Sequence, residues 1–250
     1  NVTPEFKTKV LTALLAGKEN FDGSEKQYAQ RFNINSSVYS RLKNGEDTDG
    51  LIKDSKWMEI GMKLNVALHE RKWVTVATQV YNDITEIANF CQLNGKSYML
   101  VDATGIGKTY TAKALARQQK NCFYIDGSQA KGKIDFVRLF ASTLGLNPKD
   151  KLIRIKTAIK YYLKVIPNPL VIIDEAGDLD DRTFLEVKEI WNDTEGQCGW
   201  LMMGADGLQN KVERNINNRK PGFAEIFSRF GERYKHITPL ETTDKQQFYK

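Results

Sequence analysis

The densest chemistry in the chain lies in the run Asp102-Ala-Thr104-Gly105-Ile106-Gly107-Lys108-Thr109-Tyr110. Glycines let backbone N–H groups approach an anion closely, a lysine neutralises it, and a hydroxyl beside the lysine completes a magnesium shell. The run therefore reads as a cradle for the phosphates of ATP with Mg²⁺, the anion lying at the start of a helix. Residues Thr104 to Tyr110 are the expected nucleotide contacts, with Thr109 also on the metal. The usual GxxxxGK[ST] pattern has a glycine where this chain has Asp102. An acid aimed at a polyphosphate weakens its binding, whereas one turned away leaves it unaffected, and the sequence leaves both open.

About 65 residues downstream, Leu170-Val-Ile-Ile-Asp174-Glu175 is an apolar strand ending in two adjacent carboxylates. Alone, such an ending is a common strand-to-turn junction. Paired with the cradle it takes on specific roles, Asp174 holding Mg²⁺ through water and Glu175 polarising the attacking water. Asp206, after the apolar run CGWLMMG and Ala205, falls where a polar group would meet the γ-phosphate. Arg229, in Phe227-Ser-Arg-Phe230, is the first candidate for a catalytic cation supplied by a neighbouring copy, and Arg233 the second; the plainer alternative is a surface ion pair.

These residues need strands and helices to present them. From Ser97 onward, short apolar strands alternate with helices: SYMLVD, a helix over 107–119, NCFYID, helices over 133–145 and 151–165, PLVIID, a helix over 181–193, CGWLMM, a basic helical stretch from 207 and a short strand near YKHIT. Alternation of this kind predicts an α/β fold, a parallel sheet flanked by helices. Between the two carboxylate-bearing strands, the loop 126–133 carries Lys131 and Lys133, read either as a solvated turn or as a grip on a DNA backbone. Residues 207–236 hold seven Lys/Arg against three Glu.

The first 95 residues read as all-helical. Thr3 and Pro4 open a helix that closes before Gly17, and amphipathic patterns cover 54–70 and 75–93. Between them, EKQYAQRF and SSVYSRLK form a helix-turn-helix, with Ala29 small at the crossing. Ile34, Val38 and Leu42 are expected inward. Ser37, Tyr39, Ser40, Arg41 and Lys43 are expected to meet a major groove from a helix capped by Ser36; the alternative is a helical hairpin for protein contacts. The expected organisation is a helix-turn-helix domain over 1–50, a helical linker over 51–72 and the nucleotide-binding core over 73–250.

Composition narrows the class. Of 250 residues, 41% are hydrophobic and 27% charged, which excludes a disordered tail or a fibre. Three dispersed cysteines and two histidines cannot build a zinc cluster or a disulfide framework. No apolar run reaches the length of a membrane span and the start lacks a signal-peptide layout, so a cytoplasmic protein with no membrane partner is expected. The net charge of +6 permits a nucleic-acid partner without proving one.

A helix-turn-helix followed by the phosphate cradle, the Asp-Glu strand end and the Ser-Arg-Phe arginine resembles the AAA+ transposition ATPases, the group of the B protein of phage Mu and of relatives serving Tn7-type and insertion-sequence transposons. The resemblance spans nearly the whole chain. It implies a bacterial or phage-encoded, nucleoid-associated ATPase of low, DNA- or partner-stimulated activity, which polymerises on double-stranded DNA, chooses the target and serves a transposase. It further implies that Arg229 acts in trans and that Lys131 or Lys133 faces DNA. Ala205 stands where the family sensor is often Thr or Asn, and the end at Lys250 leaves room for at most a short lid. A helicase loader or replication initiator would share every ATP motif, and an ATP-sensing transcription regulator would use the helix-turn-helix on one operator.

Overall fold

The computed structural model describes residues 2–46, 50–67, 77–130 and 132–238. Four helices come first: α1 (Pro4–Glu19), α2 (Glu25–Arg31), α3 (Ser36–Lys43) and α4 (Asp54–Leu64). Thr3 caps α1 as expected, its hydroxyl accepting from the Phe6 N–H at 3.3 Å. The helix runs on through Gly17 to Glu19, because this glycine makes room for the Tyr28 ring rather than ending the helix. Asn35, not Ser36, caps α3: it is the last extended residue, and its side-chain oxygen Oδ1 accepts from the Ser37 N–H at 3.0 Å. α4 closes at Leu64, where Asn65 turns left-handed (φ 54°), short of the expected 70. It packs on α1 through Gly61, where an added Cβ would lie 2.6 Å from the Phe6 ring.

The remaining elements are α5 (Gln79–Asn94), β1 (Ser97–Val101), α6 (Lys108–Gln118), β2 (Cys122–Asp126), α7 (Lys133–Thr143), α8 (Leu152–Val165), β3 (Leu170–Asp174), α9 (Asp181–Asp193), β4 (Gly199–Gly204), α10 (Asp206–Asn217), α11 (Phe223–Arg229) and β5 (Tyr234–Lys235). The five strands form one parallel sheet of order β2-β3-β4-β1-β5. Both faces are buried, so the strands read as continuous apolar runs. Strand alternation sorts the core. Met99, Val101, Val171, Ile173, Trp200 and Met202 face α7 to α11, while Leu100, Leu170, Ile172, Leu201 and Met203 face α5 and α6.

The helical layer α1–α4 shares the first of these clusters and docks on the sheet domain. Asn121 Nδ2 donates to Asp22 at 2.9 Å, Asn20 Nδ2 donates to the Arg117 carbonyl at 2.8 Å, and Gly145 (φ 76°) lies so close to α2 that a Cβ would come within 2.5 Å of the Gln27 carbonyl. Among the described residues, no helix is long and apolar enough to cross a membrane. Burial pushes the Cys91 and Cys122 thiols up to about 12, which makes them core residues rather than nucleophiles.

Candidate nucleotide site

All strand pairs are parallel, so the carboxyl ends of β1, β3 and β4 share one rim, and the strand order reverses beside β1, the place where open α/β sheets bind ligands. Gly105 (φ 82°) and Gly107 (φ 106°) take left-handed backbone in the turn between β1 and α6, with open space where a Cβ would stand. Their requirement for glycine is therefore conformational. A cleft of about 210 Å³ opens here, with Thr104, Gly105, Gly107, Lys108, Thr109 and Tyr110 on one wall and Glu175 and Ala205 opposite. The Ile106 side chain packs against the α5–α6 cluster and does not line the cleft.

Lys108 is 8% exposed, and its Nζ donates to the carbonyls of Asp102 (2.6 Å) and Ala103 (2.7 Å). Burial lowers its proton affinity, while Asp102, Asp174, Glu175 and Asp206 favour the charged form. The ammonium is thus held at the cleft by neutral carbonyls that an anion can outbid. Asp102, at the departure from the glycine pattern, does not line the cleft. Its Oδ1 accepts from the Ala103 N–H at 2.8 Å, and its Oδ2 from the N–H groups of Ile237 (2.7 Å) and Thr238 (2.8 Å) beyond β5. Burial would raise this carboxyl, but the hydrogen bonds, those from Thr238 first, hold it below the usual carboxylate range.

Alternation along β3 puts Asp174 on the α6 face, the side from which Lys108 and Thr109 rise. It is 1% exposed; Oδ2 accepts from the Tyr124 hydroxyl at 3.2 Å, while Oδ1 has no partner. A buried carboxylate oxygen without a donor fits a hydrated cation, so Asp174 with Thr109 suits Mg²⁺, which keeps several waters and needs few protein ligands. Glu175 follows in left-handed backbone (φ 47°) at the mouth of the cleft. Residual burial and the carboxylates of Asp174 and Asp178 hold it above the usual range, as suits a group that takes a proton from water.

Other expected site residues fall elsewhere. Asp206 opens α10 close enough to act on Lys108, but Ala205, not Asp206, lines the cleft. Arg229 ends α11 half-buried, its guanidinium 5.3 Å from the Trp191 ring and 3.5 Å from Glu225. Trp191 in turn donates to Ser97 Oγ at the opening of β1, so Arg229 lies at the end of the sheet opposite its own cleft. Arg233 is exposed. Lys133 meets Glu186 at 3.7 Å, and Lys131 lies outside the described residues.

On α3, Ser37, Ser40, Arg41 and Lys43 are exposed, whereas Tyr39 is 1% exposed and faces inward against Tyr28 at 5.8 Å. Arg41 pairs with Glu46 at 2.6 Å and Lys43 with Glu25. Sequence reasoning missed Tyr124. The available signal was its parity, since register places it opposite Ile172, on the face that also carries Asp174.

Residues 93–212 match the family model for the AAA domain, a segment running from the end of α5 into α10 that contains the whole cleft. This match supports an ATPase of the AAA kind. A stretch of 91 residues is 31% identical to vacuolar protein sorting-associated protein 26 of Plasmodium falciparum (isolate 3D7), covering 36% of this chain and 27% of that protein. The chain thus spans about a quarter of that relative's length, and the likeness brings no activity with it.

Proposed function

We propose that this chain is a DNA-dependent AAA+ ATPase that assembles with its own copies on duplex DNA and delivers that DNA to a transposase. The observation that supports the ATPase most directly is that Lys108 and Glu175 line one cleft while Asp174, whose buried Oδ1 has no partner, lies close enough to favour the Lys108 charge. Bound Mg²⁺–ATP would supply an activated phosphoryl group there. Lys108 and the N–H groups around Gly105 and Gly107 would bind the phosphates, Thr109 and Asp174 would hold the metal, and Glu175 would take the proton from the attacking water.

Assembly follows from charge. Among the described residues, Lys108 is the one cation lining the cleft, and a second supplied by a neighbouring copy would stabilise the transferred phosphoryl group from the other side. Arg229 would leave its Trp191 stack at a cost of about 0.5–1 kcal/mol, and Arg233 needs no release from such a stack. DNA binding rests on the helix-turn-helix geometry of α2 and α3 and on the loop lysines. With Arg41 and Lys43 already paired to acids, phosphates must compete for them, which suits a sequence-blind grip better than an operator reader.

Equilibrium binding to two unrelated duplexes, with and without a non-hydrolysable ATP analogue across a salt series, tests the proposal. The expected result is ATP-dependent binding of both duplexes, with a salt slope that flattens by about two contacts' worth when Lys131 and Lys133 are both changed to alanine. Tight, ATP-independent protection of one site would favour the regulator, and no binding under any condition would overturn the DNA reading.

A further inference from the structure

The left-handed backbone at Glu175 carries a free-energy cost for any residue with a Cβ, so the surrounding chain must hold it there. A short 3-10 turn, Ala176–Asp178, begins at once, and two glycines clamp it. A Cβ on Gly127, in the loop after β2, would fall 2.7 Å from the Glu175 carbonyl oxygen; one on Gly177 would fall 3.1 Å from the Leu208 backbone nitrogen in α10. The Glu175 turn is thus packed, backbone to backbone, between the loop that leads to Lys131 and Lys133 and the helix that opens with Asp206.

Lys211 closes this clamp from α10. Its Nζ donates to the carbonyls of Gly177 and Leu179, the latter at 2.6 Å. In the sequence it belongs to the basic stretch 207–236. In the fold it is part-buried; burial lowers its proton affinity, while Asp181 and Asp178 favour the charge.

We infer that Lys211 is a positioning residue for ATP hydrolysis, holding the turn after Glu175 so that this carboxylate stays aimed into the cleft. The role rests on the nucleotide reading above and involves no contact between Lys211 and nucleotide or metal. Because α10 carries both Asp206 and Lys211, any shift of this helix at the phosphate end moves the Glu175 turn with it.

The test uses the full chain, with Lys211→Met, which keeps the stem and removes the donors, and Lys211→Arg, which keeps the charge. Affinity for a fluorescent ATP analogue and kcat are measured for each. Lys211→Met should bind within about twofold of the parent while kcat falls at least about tenfold, and Lys211→Arg should recover part of that loss. A purely structural role would lower binding and turnover together, and that result, or a parental kcat for Lys211→Met, overturns the inference. Should Lys211→Met fail to fold, Lys211→Gln, which loses the charge and the reach to both carbonyls, decides: reduced kcat with parental binding supports the role, and parental kcat overturns it. A parent that hydrolyses no ATP, with or without DNA, would sink the nucleotide reading and this role together, whereas an active parent beside an equally active Lys211→Met removes this role alone.

Discussion

A glycine at position 102 would satisfy the phosphate-loop pattern, but it would strip the N–H groups of Ala103, Ile237 and Thr238 of the carboxylate that accepts from all three. Hydrogen bonds to a charged group contribute about 1.5–3 kcal/mol each, so Asp102→Gly should destabilise the fold by at least about 2 kcal/mol and should not tighten nucleotide binding. Denaturant unfolding and nucleotide titration check the two halves. The pH dependence has a definite sign. Because the folded-state pKa lies below the unfolded one, the contribution of Asp102 is fully present above about pH 4 and disappears as pH falls through the lower folded value. The stability gap between parent and Asp102→Gly should stay constant from neutrality down to mildly acidic pH and narrow only below that. Tyr124 makes a second residue-scale case, since its hydroxyl orients the carboxylate assigned to the metal. Tyr124→Phe should raise the Mg²⁺ concentration for half-maximal turnover by about tenfold and leave metal-free nucleotide binding unchanged, as removal of a partner that orients a metal ligand does; an unchanged Mg²⁺ requirement would count against the assignment.

At the scale of elements, α3 shows what periodicity reveals and what it hides. The helix, its turn and its partner α2 were legible from apolar spacing, although the cap of α3 is Asn35 and not Ser36. The buried face was legible only in part: Ile34 and Leu42 are buried and Val38 packs on the core as expected, but Tyr39, expected outward, is buried too, because stripes through Val38 and Leu42 or through Tyr39 and Leu42 both fit helical spacing. Tyr28 on the neighbouring helix decides it by taking the Tyr39 ring edge-on. Tyr39→Ala should therefore cost about 3 kcal/mol or more in thermal or denaturant unfolding, while Ser40→Ala leaves stability within about 0.5 kcal/mol. The exposed face makes its own prediction. Glu25→Gln with Glu46→Gln frees Lys43 and Arg41 from their acids and should raise duplex-DNA affinity several-fold at low salt, with a steeper salt slope. Unchanged affinity and slope would remove α3 from the DNA interface.

In the whole molecule, the alternation of strands and helices predicted the parallel sheet, and the spacing of the two motifs predicted that Lys108, Asp174 and Glu175 share one rim. Both follow from local patterns, in which strand ends are marked by acids and a glycine turn opens a helix. What local pattern could not supply were joins between remote segments, such as Asp102 with Ile237, Asn121 with Asp22, and Lys211 with the turn after Glu175. Each depends on tertiary packing that no window of sequence contains. These joins tie the helical layer, the cleft and the chain beyond β5 to one sheet, and the central claim is that this sheet presents a hydrolytic ATP site. Comparing ATP turnover and nucleotide binding in the parent, Lys108→Ala and Glu175→Gln tests that claim most directly. Lys108→Ala should lose binding, and Glu175→Gln should bind ATP like the parent but turn it over at least about a hundredfold more slowly. A Glu175→Gln protein hydrolysing ATP at the parental rate would contradict it.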